Sequence, residues 1–368
     1  MSKTILPGAT IGIIGGGQLG RMMTLSAKAM GYKVAVLDPT PNCPCGQVAD
    51  VEIVANYNDL AAIKELAEIS DVITYEFENI DYEALTFLEN ESYLPQGSQL
   101  LKISQHRYRE KKTIEDMGIP VAPFALIRSK EDLDRAINYP SVLKTTTGGY
   151  DGKGQVVLKS VEQLAEAYDL VEKQECILES WVPFVKEISV IVHGSTTGEI
   201  SVMPVAENIH VNNILHQTIV PARISKELEE KATAIGLKIA EKMKLVGTLA
   251  IEMFVTEDDI FVNELAPRPH NSGHFSMDAC QTGQFEQHIR AVCGLPLGST
   301  SLEKSVLMVN ILGQHLEDLN KYLPLMPMSK LHLYGKEEAK VGRKMGHINI
   351  LADLETAQKV AENTGVWK

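Results

Sequence analysis

No apolar run in this chain approaches the roughly 18 residues that a membrane-spanning helix needs, so a bilayer is not an expected environment. Cysteine is scarce: Cys43, Cys45, Cys176, Cys280 and Cys293 are five in number and lack the paired CxxC spacing of a zinc site. They read as free thiols of a reducing cytoplasm, and Cys43-Pro-Cys45 as a loop feature rather than a redox pair. Cations are outnumbered, 35 Lys and Arg against 48 Asp and Glu, and a formal net charge of −13 argues against nucleic acid or an anionic membrane as partner. Phosphate ligands would therefore need local positive clusters. The first residues hold Lys3 and a short apolar stretch without a cleavage-like site, so no secretory signal is expected. Internal repeats and low-complexity linkers are also missing. What is present, 368 residues with 44% apolar content, suits about two to three ordered domains.

The first motif is "TIGIIGGGQLGRMM", residues 10–23, where Gly15, Gly17 and Gly20 fit G-x-G-x-x-G after an apolar strand. "KVAVLD" then ends in Asp38, about where a dinucleotide-binding protein holds a ribose hydroxyl. The glycines permit a sharp turn, and the N–H groups near Gln18 and Leu19 would sit at a helix start that favours an anion. Against a dinucleotide stands "DPTPNCPCG", a proline-rich loop suited to filling the adenosine crevice beside Asp38.

Strands are predicted at 10–14, 33–37, 52–54 and 71–74, with helices near 18–30, 59–69 and 81–90, which makes a parallel doubly wound unit. One charged helix, "SQHRYREKKTIEDMG", follows and ends at Gly118 and Pro120. Short strands and helices alternate over 121–180. Long, closely spaced strands over 184–265, interrupted by a helix at 225–243, suggest an antiparallel sheet. "SVLMVNILG", "KLHLYGK" and "GHINIL" supply further strands near the end.

The hairpin "GTLAIEMFV"-TEDD-"IFVNELAPRPHNSGH" carries the most chemistry. Glu252 and Glu264 are equally distant in sequence from Asp258, so they should face each other across two strands, where like charges repel. A bound Mg²⁺ is the simplest reason to keep them there, with Asn263 as a neutral oxygen donor. His270 and His274 lack both a helix and the H-E-x-x-H glutamate, so zinc is not expected. In "GGYDGKGQ", Gly148 to Gln155, glycines allow backbone N–H groups to approach phosphate oxygens. It is not a P-loop, because Lys153 is followed by Gly154 rather than Ser or Thr. Lys144 at the end of "SVLK" is costly to bury unless it meets an anion. "ILESWVP", with Glu179 and Trp181, can present its backbone to an adenine edge while Glu187 accepts from a ribose.

The order of these elements resembles the ATP-grasp superfamily over nearly the whole chain. "GGGQLGRM", "YEFEN" (75–79), "GGYDGKGQ", "NELAPRPHNSGH" and "GRKMGH" (342–347) are similar to motifs of its family of ATP-dependent carboxylases that act on 5-aminoimidazole ribonucleotide in bacterial and fungal purine synthesis. The resemblance implies a mixed α/β and α+β architecture with four parts. These are an N-terminal Rossmann-like domain (1–105), a small lid domain (106–182), a central antiparallel-sheet domain with the Mg-ATP site (183–300) and a C-terminal β-rich region completing the acceptor site (301–368).

It also implies contacts. ATP would meet Arg107, Lys144, the loop Gly149, Tyr150, Asp151, Gly152, Lys153, Gly154 and Gln155, the hinge Glu179, Ser180, Trp181 and Val182, then Glu187, His210, Asn263 and Glu264. Mg²⁺, or Mn²⁺ in its place, would bind Glu252 and Glu264. The acceptor would meet Gly17, Gln18, Leu19 and Glu76, with Arg343 and Lys344 near its 5′-phosphate. Lys144, Arg268, Tyr150 and Asp151 would carry the chemistry, Asp151 as proton acceptor. ATP and bicarbonate would form carboxyphosphate, a cytoplasmic homodimer being the expected state. The alternatives are a formate-dependent glycinamide ribonucleotide transformylase, an NAD-dependent dehydrogenase and a non-catalytic nucleotide sensor.

Overall fold

The structure, a computed structural model, describes residues 3–77, 80–149 and 153–367. Strands β1 (Thr10–Ile14), β2 (Lys33–Asp38), β3 (Val51–Val54) and β4 (Val72–Tyr75) form a parallel sheet in the order β3-β2-β1-β4. Their apolar runs follow from burial on both faces. Ile11, Ile13, Val34 and Val36 pack with α1 (Gln18–Ala29) and the helix Gln284–Val292, whereas Ile14, Ala35 and Leu37 pack with α2 (Leu60–Ile69) and α3 (Tyr82–Glu91). Asp59 and Asp81 begin α2 and α3 by accepting from the first amides of each helix. The doubly wound unit expected from the sequence is thus observed.

The charged helix expected over 104–118 is observed as α5 (Arg107–Asp116), and a separate short helix, α4 (Gln99–Ser104), precedes it. His106 breaks them by taking an extended conformation and capping α5, its side chain accepting from the amide of Arg109. The break frees the Arg107 amide to donate to the Thr146 carbonyl at 2.9 Å, which ties the start of α5 to the next sheet.

That sheet is antiparallel: β5 (Phe124–Ile127), β6 (Ser141–Thr145), β7 (Gln155–Leu158) and β8 (Cys176–Ser180), ordered β5-β8-β6-β7. Leu133, Ala167 and Val171 of two helices close its core.

The largest sheet has nine strands: β9 (Lys186–Gly194), β10 (Ile200–Val202), β11 (Ala206–Val211), β12 (Ile214–Val220), β13 (Gly247–Val255), β14 (Ile260–Ala266), β15 (Val306–Leu312), β16 (Ser329–Leu333) and β17 (Lys344–Ile350). Its order is β14-β13-β9-β11-β12-β15-β17-β16, with β10 paired to β9. The strands after residue 300 therefore extend the central sheet. The helix Lys226–Met243 covers one face, and Gly236 lets it come close: a Cβ there would lie 2.8 Å from Val190 Cγ1. Ile191, Ala250 and Phe275 fill the other face. No helix among the described residues is long and apolar enough to cross a membrane, and all five cysteines are buried free thiols.

The parallel and nine-stranded sheets meet through a buried polar chain. His288 lies 2.7 Å from Thr74 Oγ1 and 3.2 Å from Thr248 Oγ1, and Thr248 Oγ1 lies 2.9 Å from His193 Nδ1. Burial pushes both imidazoles down from 6.5 to about 3, with their mutual repulsion adding to the effect at His193. Below pH 6.5 the unfolded chain therefore binds protons that the folded one does not, and stability falls from there toward pH 3. His288→Gln should flatten the loss of unfolding free energy, measured by urea denaturation, between pH 7.5 and 5.5, by up to about 1.4 kcal/mol per pH unit. An unchanged slope would remove His288 from this role.

Candidate active site

Glu252 and Glu264 are direct partners in the β13–β14 register. The turn alone does not achieve this. Val255 pairs with Ile260 and Met253 with Val262, a register that would set Glu252 opposite Asn263, but the register shifts between Glu252 and Met253. Asn263 is the extra residue of that bulge. Its Oδ1 is buried with no hydrogen-bond partner among the described residues. Two carboxylates and an unpartnered amide oxygen thus meet at one place. Burial first, and then Glu264, pushes Glu252 up to about 7. Burial also opposes charge on Glu264, but Arg107 and Lys144 outweigh it and hold that carboxyl below its usual range. Arg107 Nη1 lies 3.2 Å from Glu264 Oε2, and its Nη2 donates to the Gly149 carbonyl at 3.0 Å. His270 Nε2 stands 3.4 Å from Glu252 Oε1.

Facing this hairpin is the tip between β6 and β7. Lys144 and Gln155 are register partners at its base, and the Thr145 amide donates to the Gly154 carbonyl at 2.8 Å. Gly154 has φ +71, and a Cβ on Gly149 would sit 2.8 Å from the Lys153 carbonyl oxygen, so glycine is required at both. Lys144 Nζ lies 3.0 Å from Glu179 Oε2. Tyr150, Asp151 and Gly152 fall outside the described residues, as do two residues of the "YEFEN" motif.

Beyond Glu179 the chain leaves β8 through Ser180, Trp181 and Val182. Trp181 is 42% exposed, and Phe184 stacks on Phe254 at 4.6 Å between centroids, which gives a flat apolar wall. Glu187 Oε2 lies 3.1 Å from His210 Nδ1. Burial disfavours charge on His210, yet Glu187 and Glu252 outweigh it and hold the ring above its ordinary range.

One cavity of about 650 Å³ joins these elements. Its wall includes Arg107, Lys144, Gly149, Gln155, Glu179, Ser180, Trp181, Val182, Glu187, His210, Glu252, Asn263, Glu264, Arg268 and Lys344. Among the described residues, Gly17, Gln18, Leu19, Glu76, Lys153, Gly154 and Arg343 stand outside that wall.

The glycine cluster lies on another side. The amides of Gly17 and Gly20 donate to the Glu76 carboxylate, so the anion at this helix start is the protein's own. The Gly17 and Gly20 amides are therefore engaged, whereas the expected acceptor contacts, at Gln18 and Leu19, are other amides of the same turn. Asp38 is engaged as well, accepting from Gly16 N at 2.7 Å, Thr40 N at 2.8 Å and Tyr57 Oη at 2.6 Å. The loop after it is held against the glycines, Cys45 N donating to Gly16 O at 2.9 Å. A ribose would find neither the carboxylate nor the space. Arg268 connects the two sides, since its charge acts on both Glu76 and His270.

The comparisons with known proteins agree with this layout. Residues 8–105 match the ribonucleotide synthetase preATP-grasp domain, 112–285 the ATP-grasp domain, and 306–361 the phosphoribosylaminoimidazole carboxylase C-terminal domain. N5-carboxyaminoimidazole ribonucleotide synthase of Bacillus subtilis strain 168 is 58% identical, covering 100% of this chain and 98% of its own. The chain belongs to the N5-carboxyaminoimidazole ribonucleotide synthase family. An ADP complex of an N5-carboxyaminoimidazole ribonucleotide synthetase superposes with TM-score 0.98 at 63% identity, covering 100% of this chain and 99% of that one. The Aspergillus clavatus synthase complexed with ADP and 5-aminoimidazole ribonucleotide gives 0.91 at 30% identity, with 98% of each chain covered.

For this member of the synthase family, sequence reasoning passed over four charged or aromatic groups at the site. Glu110 and Lys111 are 2% and 1% exposed, on the face of α5 that also buries Ile114. That shared face was the available signal. Phe254 interrupts nothing in an apolar strand, and Lys336 had only "YGK" to mark it. Burial and then Arg343 push the Lys336 ammonium down to about 8, so it belongs to one cationic group with Arg343 and Lys344.

Because folded Glu252 holds its proton more tightly than the unfolded chain does, its contribution to stability is full below pH 4.5 and lost as pH rises through about 7. In metal-free protein, Glu252→Gln should raise the melting temperature more at pH 8 than at pH 5.5. An equal effect at both would mean the two carboxylates do not repel.

Proposed function

We propose that the protein is an ATP-dependent carbon–nitrogen ligase that carboxylates the exocyclic amine of 5-aminoimidazole ribonucleotide with bicarbonate, releasing ADP and phosphate, in purine biosynthesis. The observation that carries this reading is the opposition, across one cavity, of the Glu252–Glu264 pair and the Lys144-bearing glycine hairpin. Adenine lies against Trp181 and Phe184 beside the Glu179–Val182 hinge, and Glu187 with His210 takes the ribose. Arg107, Lys144 and the tip from Gly149 to Gln155 take the phosphates.

Glu252, Glu264 and the unpartnered Asn263 Oδ1 fit a hard divalent cation, Mg²⁺ or Mn²⁺. When bound, the ion supplies charge neutralisation to the phosphates. Bicarbonate attacks the terminal phosphoryl group to give carboxyphosphate, and two anions approach each other only where cations align them. Lys144 and Arg268 do so from this chain. Tyr150 and Asp151, outside the described residues, are assigned to the acceptor amine, with Asp151 taking its proton as the new C–N bond forms. The tip also excludes water, to which carboxyphosphate is otherwise lost. Gln18, Leu19 and Glu76 face the acceptor, while Lys336, Arg343 and Lys344 hold its phosphate. The four-part division at 105, 182 and 300 then separates acceptor, lid, nucleotide and closing regions. A cytoplasmic homodimer completes the proposal, and sedimentation tests the subunit count.

The deciding assay is ADP release with each substrate omitted in turn. Full turnover should need both bicarbonate and 5-aminoimidazole ribonucleotide, and Glu264→Gln should abolish it with the circular dichroism spectrum unchanged. Turnover without the ribonucleotide, or near parental turnover in the variant, would refute the assignment. The acceptor contact has its own test: Lys344→Ala should raise the acceptor KM more than the ATP KM, by about tenfold for a lost charged hydrogen bond. The opposite order would move Lys344 to the nucleotide.

A further inference from the structure

Lys111 is buried yet appears in no step above. Its ammonium lies 3.2 Å from the Val262 carbonyl and 3.4 Å from Glu179 Oε2. The same carboxylate oxygen is 3.0 Å from Lys144 Nζ, and Glu179 Oε1 is buried without a hydrogen-bond partner among the described residues. Two cations therefore share one oxygen of one anion. Val262 precedes Asn263 and Glu264 on β14, while Glu179 stands on β8 of the lid sheet. Lys111 on α5 thus links the strand that bears the carboxylates to the strand that bears the hinge.

We propose that Lys111 is a positioning residue for nucleotide binding: by neutralising Glu179 it leaves the charge of Lys144 available to the phosphates of ATP. This rests on the nucleotide site proposed above. Without Lys111, Glu179 has Lys144 as its near cation, the pair is neutral, and the ammonium is drawn toward the carboxylate and away from the cavity. With it, the triad carries one net positive charge facing the lid tip. The carbonyl of Val262 fixes where that ammonium sits, so the shared arrangement depends on the β14 edge.

Calorimetry of ADP and steady-state kinetics on the full chain test this with parent, Lys111→Met and the double variant Lys111→Met/Glu179→Gln. The parent must bind ADP for the underlying nucleotide site to stand, and its failure to do so would overturn that site rather than the role of Lys111 within it. Lys111→Met should weaken ADP and raise the ATP KM by about tenfold, with the acceptor KM changed by less than about twofold. Removing Glu179 as well should restore ADP affinity to within about threefold of the parent, because Lys144 again stands as an uncompensated cation. A purely structural Lys111 would not be rescued by a second substitution. Unchanged ADP affinity in the single variant, equal rises in both KM values, or a double variant bound about tenfold or more weakly than parent would overturn the proposal. If Lys111→Met does not fold, Lys111→Arg, which keeps the cation beside Glu179, is compared with Lys111→Gln, which removes it, and equal ADP affinities in the two would overturn the proposal.

Discussion

Like carboxylates opposite each other on one sheet face repel, and Glu252 and Glu264 are brought into that position by a bulge rather than allowed to slip out of it. Their surroundings follow from this. Arg107 and Lys111 come from α5, Lys144 from β6 and Lys344 from β17, so three elements supply the Lys and Arg groups that act on the pair. The break between α4 and α5 is part of the same arrangement. A helix running on unbroken from α4 would not leave the Arg107 amide to bond Thr146, the tie that sets Arg107 beside Glu264.

The hairpin also ends a sheet. β14 is the edge strand of nine, and an exposed edge leaves amides and carbonyls unpaired. Here α5 and the segment that follows it take the place of a further strand: Glu110 accepts from the Leu265 amide at 2.8 Å, Lys111 donates to the Val262 carbonyl, and beyond the helix the Pro120 carbonyl accepts from the Val262 amide at 2.9 Å. Burying an ammonium and a carboxyl in this role is expensive unless both are bonded. The bonds they make are to the residues flanking Asn263 and Glu264. Edge protection and site geometry are therefore met by the same side chains.

Much of this was legible in the sequence where periodicity or a local conflict marks it. The parallel strands announced themselves as apolar runs, and Glu252 stood out because a carboxylate interrupted one. The facing pair was inferred correctly, though from the turn's centre, whereas the register reaches it only through the bulge at Asn263. A bulge leaves no sequence pattern when the extra residue is itself polar and expected at the site. Glu110 and Lys111 were hidden differently. In "HRYREKKTIED" nearly every position is charged, so a buried charge looks like a solvated one until its helix face is known. The joining of β15, β16 and β17 to the central sheet was equally invisible, since pairing across long sequence separations is set by tertiary packing and not by local propensity.

The N-terminal unit shows how a fold can be kept while its familiar ligand is excluded. Asp38 and the glycine turn hold the positions that a dinucleotide would use, but Asp38 is bonded to Gly16, Thr40 and Tyr57, and the Gly17 and Gly20 amides to Glu76. A helix start that accepts an internal carboxylate has part of the positive end of its dipole met from within the protein. Arg268 and Lys336 both feel Glu76 from outside the unit. The Gly17 and Gly20 amides thus anchor a carboxylate whose charge acts on Arg268 and Lys336. In a chain with net charge −13, a buried anion thereby gathers cations locally.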